Sequence, residues 1–175
     1  MQTGQSEMGD RDWKRLGGFA GVKLLLLHAG LSAYWAAGGT ALLGLLSDGI
    51  NEMAAERATS TIAMIWSVAV LKVAVALIGL GVLRGWFTSA VAPLALAVTR
   101  VVALGLVLYA GMQLAGGLLV VAGLIESGAE TGTAFRAYLL LWGPLWLAIG
   151  VGFSLLSWAE TERALSSSTR HCRGL

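Results

Sequence analysis

His28 and Lys72 are the residues of this chain whose types and positions could do chemistry that their apolar surroundings do not need. An imidazole can serve as general acid or base, and an ammonium can serve as its charge partner. Both sit inside long apolar runs, where an ionised group costs at least ~2.5–3.5 kcal/mol on insertion scales. Lys72 is about ten residues from either end of its run, or ~15 Å from each edge at 1.5 Å per residue, too deep for easy snorkelling. Its helical neighbours Ala69, Ala76 and Gly79 form a small-residue stripe, the surface through which membrane helices approach one another. Lys72 is therefore expected to face other helices rather than lipid. His28 lies at a similar depth, with Ser32 and Trp35 one and two turns on. Gly105, Tyr109, Gln113 and Gly116 share one face of a third run. Trp142, Trp146, Gly150 and Ser154 share one face of a fourth, where Pro144 frees the carbonyl of Leu140 for another partner. The expected midplane polar group is His28, Ser32, Lys72, Tyr109, Gln113 and Trp146, with His28, Lys72 and Gln113 approaching one another. Two readings fit: a buried binding or catalytic site, or a bundle core whose cross-helix hydrogen bonds contribute ~0.6 kcal/mol each.

Four elements must position these groups. The runs cover about residues 16–38, 62–83, 101–125 and 137–158, each near the 20 residues that cross a ~30 Å hydrocarbon core. Hydrophobic residues make up 57% of the 175-residue chain, charged residues only 13%, and the mean hydropathy is +0.75. A soluble domain would carry about 25% charged residues. The expected fold is all-α, an integral membrane four-helix bundle with short loops. Residues 1–15 precede a membrane domain at 16–160, and 161–175 form a disordered tail. The first run is too long for the ~7–15-residue core of a signal peptide, so it is read as a retained span. The first outer loop, about 39–61, reads as an interfacial segment rich in leucine followed by a short polar helix. A linker over Arg84–Arg100 is expected to be broken by Pro93, and Glu126–Arg136 to be an outer turn.

Basic residues set the orientation. With the N-terminus inside, Arg11, Lys14, Arg15, Arg84, Arg100, Arg163, Arg170 and Arg173 are cytoplasmic, and only Arg57 and Arg136 are outside. Lys23 can snorkel to the inner headgroups. Trp35, Trp66 and Trp142 fall near outer ends, and Trp13, Trp86 and Trp158 near inner ends, as expected of interface anchors. The expected location is a bacterial inner membrane, multi-pass, with both termini cytoplasmic.

Other chemistries lack residues. Cys172 is the one cysteine and His171 the one other histidine, which excludes a disulfide framework, a thiolate metal site and paired haem ligation. No metal and no cofactor is expected, and the net charge of +2 forms no nucleic-acid-binding patch. Asp48, Glu52 and Glu56 recur every four residues, readable as a solvated helix face or as a cation site. The primary functional reading is a membrane protein of unassigned role, acting as an accessory or interaction partner of another membrane protein. The alternative is an embedded enzyme or binder of a lipophilic small molecule, and a third is a transporter subunit requiring oligomerisation. A sealed apolar bundle favours the first. A cavity of a few hundred Å3 reaching His28 favours the second.

The segment Leu27–Gly39 carries a His followed by Tyr34-Trp35 and Gly38-Gly39, and Trp142–Trp146 reads Trp-Gly-Pro-Leu-Trp. Both resemble signatures of domain-of-unknown-function family 3995, small bacterial membrane proteins. The resemblance covers about residues 16–160. It implies four spans and singles out His28, Tyr34 and Trp35 without implying a reaction.

Overall fold

A computed structural model describes the backbone of residues 3–46, 48–125 and 132–173, and the side chains of 12–46, 49–125 and 132–163. Helix α1 covers Thr3–Ala36. A 3-10 turn at Leu43–Leu45 and the short helix α2, Asp48–Glu56, lead to α3, Thr59–Arg84. Helix α4 covers Ala92–Val121. The last stretch begins with α5, Thr133–Ala137, widens into a π-helical turn at Tyr138–Trp142, and continues as α6, Gly143–Arg173. No strand occurs among the described residues, and four helices are long and apolar enough to cross a membrane.

Glycine punctuation ends three of the long helices. Gly38, Gly85 and Gly123 have φ of 104°, 67° and 69°. In each case the following amide bonds back five residues, as Gly39 N donates to Tyr34 O at 2.9 Å. This is the Schellman arrangement, which satisfies carbonyls the helix leaves open. Pro93 starts a helix instead of ending one. It occupies the first turn of α4, where its missing N–H is not needed, so the linker shrinks from the expected 84–100 to residues 85–91 and Arg100 lies within α4. The tail expected to be disordered after residue 160 is helical to Arg173, since no Pro or Gly interrupts it before Gly174. The 126–131 part of the expected outer turn lies outside the described residues.

Round the bundle the order is α3, α1, α6, α4. α1 packs along both α3 and α6, and α6 along α4, whereas α3 and α4 touch sparingly. Burial agrees: 39% of the apolar window is buried in the first and last spans, but only 17% in α3 and 22% in α4. The outer faces of α3 and α4 carry the exposed Leu71, Leu77, Leu104 and Met112. The centre is Val22, Leu25, Ala76, Leu83, Ala103, Ile149, Phe153 and Leu156. Glycines let α1 and α6 approach at backbone contact. A Cβ on Gly152 would lie 2.7 Å from Gly21 Cα and 2.8 Å from Gly17 O.

The end of the bundle that holds the α3–α4 linker is tied by ionic groups. Lys14 is buried and donates to Glu162 at 2.8 Å, with its ammonium 5.0 Å from the Trp158 ring. Arg15 donates to Leu83 O at 2.6 Å, near the carbonyl end of α3, where a cation is favoured. Arg100 donates to Thr161 at 2.6 Å. Among the residues with described side chains, Lys14, Arg15, Arg84, Arg100 and Arg163 are carried near this end of α1, α3, α4 and α6.

Candidate functional site

Lys72 reaches across from α3 to α1. Its ammonium lies 2.9 Å from His28 Nδ1 and donates to Ser32 Oγ at 2.8 Å. The α3 stripe explains the direction, because Ala69, Ala76 and Gly79 are all buried and bring the helix face with Lys72 against α1. An ammonium only donates, so His28 Nδ1 accepts and the ring proton is assigned to Nε2. Ser32 turns its own proton back to the His28 carbonyl at 3.1 Å. Both acceptors stand one turn apart on α1, which places them under one cation.

Tryptophans from the last span wall this group. The Trp146 ring lies 4.5 Å from the His28 ring and 5.4 Å from the Lys72 ammonium, within cation–π reach. Trp142 meets His28 edge-on at 5.7 Å and Trp35 at 6.1 Å. Tyr109 meets Trp146 edge-on at 6.4 Å. The π-helical turn aims Tyr138 and Trp142 here. Pro144 cannot supply an amide to the turn before it and its ring crowds the carbonyl of Leu140, and a widened turn absorbs both defects.

The segment between α1 and α3 covers the group. Leu46 is buried against Trp142, with Leu43, Leu45 and Ile50 beside it. Trp142 Nε1 donates to Leu45 O at 3.0 Å and Trp35 Nε1 to Ala41 O at 2.7 Å. Tyr34 accepts from Ala41 N at 3.4 Å, and its ring occupies the space where Gly39 would carry a Cβ. The Tyr-Trp and Gly-Gly signature is therefore a clasp that folds the loop back over the helix end. Beneath this cover is a cavity of about 240 Å3 that reaches His28, Ser32 and Lys72. Its wall is mostly apolar, with Leu43, Leu46, Ile50, Ile65 and Val68 joined by Tyr109, Tyr138, Trp142 and Trp146.

The structure brings together His28, Ser32, Lys72, Tyr109 and Trp146 but leaves out Gln113. Gln113 is exposed on α4, donates to Tyr109 at 3.2 Å and does not line the cavity. One turn beyond Tyr109, it bonds to the hydroxyl of that half-exposed side chain instead of reaching His28 or Lys72. Two expected interface anchors are also corrected. Trp142 is 3% exposed and Trp35 half-buried, because their indoles bond to loop carbonyls instead of headgroups. Trp13, Trp66, Trp86 and Trp158 are exposed. Lys23 is exposed as well. Glu52 and Glu56 lie on the exposed face of α2 while Ile50 and Ala54 face the cavity, the pattern of a solvated helix face; the Asp48 side chain lies outside the described residues. Sequence reasoning missed Tyr138 and the leucines of the cover. The signal was available in the apolar Leu42–Leu46 run, whose length is too short to span and too apolar to be an open loop.

The group holds no carboxylate among its described lining residues, and the hydroxyl that Lys72 reaches is that of Ser32. Ser32 is buried and already donates to a carbonyl, and Lys72 donates toward it. That polarity suits holding an electron-rich group better than activating a hydroxyl, which requires the amine to accept.

A family model described as Protein of unknown function (DUF3995) matches residues 25–153, a stretch containing His28, Lys72 and both aromatic signatures. No curated protein and no solved structure matches the chain.

Proposed function

The chain belongs to the family of proteins of unknown function DUF3995, and on that premise we propose that it is a multi-pass membrane protein that binds a lipophilic small molecule at the His28–Lys72 group. The observation that carries this reading is the 240 Å3 cavity, mostly apolar and ending on a cluster of polar groups, which is how small-molecule sites are built. A bundle whose polar layer served only packing would close around it. Binding is favoured over catalysis by the direction of the hydrogen bonds at Ser32. Native mass spectrometry of the protein extracted from its own membrane tests the proposal. Wild type should retain a bound lipophilic mass, and His28→Leu should lose at least ~10-fold of its occupancy, about 1.4 kcal/mol, while keeping its helicity. Equal retention in both proteins, or an intact wild type with nothing bound, would count against it.

The proposed setting is the bacterial inner membrane with both termini cytoplasmic. It is supported by eight basic residues at the inner ends, Arg11, Lys14, Arg15, Arg84, Arg100, Arg163, Arg170 and Arg173, against Arg57 and Arg136 at the outer ends. Reporters fused after Leu175 should be active only if cytoplasm-dependent, and a reporter inserted near Glu52 only if periplasm-dependent. The reverse pattern would refute the orientation.

A further inference from the structure

We propose that the molecule bound in the cavity is a single-chain amphiphile with an oxyanion head, carboxylate or phosphate, held by Lys72, and that its chain leaves the protein between α3 and α4. This rests on the ligand-binding reading above and adds the charge of the head and the path of the tail.

The charge follows from what surrounds Lys72. An ammonium has three N–H donors, and two are directed to His28 Nδ1 and Ser32 Oγ. Both acceptors are neutral, Trp146 offers only a ring face, and no Asp or Glu is among the described lining residues. The third donor and the whole positive charge are left for a partner that arrives from the cavity. In an apolar, membrane-depth wall an unpaired cation is costly, and an oxyanion at hydrogen-bond distance is the partner that offsets the cost.

Size and shape give the tail. A cavity of about 150 Å3 holds a benzene, whereas sites enclosing a whole drug-sized ligand run to ~300–1,000 Å3. At about 240 Å3 this one encloses a head and the first few carbons. The rest of a chain must lie outside. On the loop side the wall is Leu43, Leu46 and Ile50, none of them exposed. The lining residues left exposed are Met64 and Val68 on α3 and Tyr109 on α4. They flank the seam where the two helices touch sparingly, and these are the helices with the most uncovered apolar surface. An acyl chain leaving there passes from the cavity into lipid without crossing a polar layer.

The experiment is a binding series on the full chain in detergent: a long-chain carboxylic acid, its alcohol, methyl ester and primary amine of equal chain length, and the corresponding lysophosphatidate. The acid, the lysophosphatidate or both should bind at least ~10-fold more tightly than the alcohol and ester, and the amine weakest of all; which of the two oxyanions wins identifies the source. In Lys72→Met the oxyanion preference should vanish while alcohol binding persists. Val68→Trp should weaken the long-chain acid at least ~10-fold and leave a short-chain acid unchanged. If the alcohol or amine equals the acid on wild type, the oxyanion assignment is overturned and the cavity remains a ligand site. If no member of the series binds while another lipophile does, the amphiphile class is overturned. If nothing lipophilic binds at all, the ligand-binding reading falls with it. The wild-type series decides the head assignment even if a variant fails to fold.

Discussion

Gly152→Leu is expected to prevent the native packing of α1 on α6, with loss of the monodisperse, heat-resistant species in detergent. The reason is backbone contact. Any Cβ at this position would meet Gly21 Cα at 2.7 Å and Gly17 O at 2.8 Å, and main-chain atoms cannot rotate aside as a flexible side chain can. Overpacking a core ordinarily costs ~1–3 kcal/mol, and a clash with a facing helix backbone belongs at or above the top of that range. Gly152→Ala should already be harmful. The control is Gly105→Ala on α4, where nothing lies within 4 Å of the new carbon. There the change should be neutral or stabilising by about 0.4–1 kcal/mol through the unfolded chain. Thermal unfolding of the three variants side by side measures the contrast, and equal midpoints for Gly152→Leu and wild type would mean the two helices do not cross at these glycines.

Trp142→Ala is expected to have the second largest effect, lowering stability by about 2–4 kcal/mol, toward the range for removing a buried indole. Within a bilayer the transfer of apolar surface contributes little, because lipid is as apolar as the core. The loss comes from packing against His28, Trp35 and Leu46, and from leaving Leu45 O without its donor. Trp142→Phe separates the two contributions. It retains most of the packing and should cost only ~1–2 kcal/mol, the penalty for an unsatisfied carbonyl. The same variants should admit ligand to the cavity more freely, since the cover over it hangs on that indole. A Trp142→Ala protein as stable as wild type would show that the loop does not close over the bundle.

What the sequence made readable, and what it hid, divides along physical lines. Helix existence was plain, because about twenty apolar residues between charged ends have one reading. Lys72 was readable for the same reason. A cation at mid-depth needs a protein partner, and the small stripe of Ala69, Ala76 and Gly79 states which face it is on. Gln113 went astray because helical spacing gives a face relative to its own helix, not which neighbour that face meets, and α4 packs mainly on α6. Pro93 was misplaced by one element, since the same residue ends one helix or starts the next, and only the Gly85 turn upstream decides it. Trp35 and Trp142 were indistinguishable from interface anchors by position. Their true partners, the carbonyls of Ala41 and Leu45, belong to a loop whose return over the bundle depends on the fit of Tyr34 against Gly39. Such a tertiary contact leaves no periodic trace.

The most direct test of the account is an experimental structure of the protein in a lipid bilayer, examined at the His28–Lys72 cavity. Elongated density is expected within hydrogen-bond distance of Lys72 Nζ, filling the space beneath Leu46 and Trp142 and running out between Val68 and Tyr109. A closed space, with side chains packed into it and the Lys72 ammonium bonded to protein carbonyls, would contradict it.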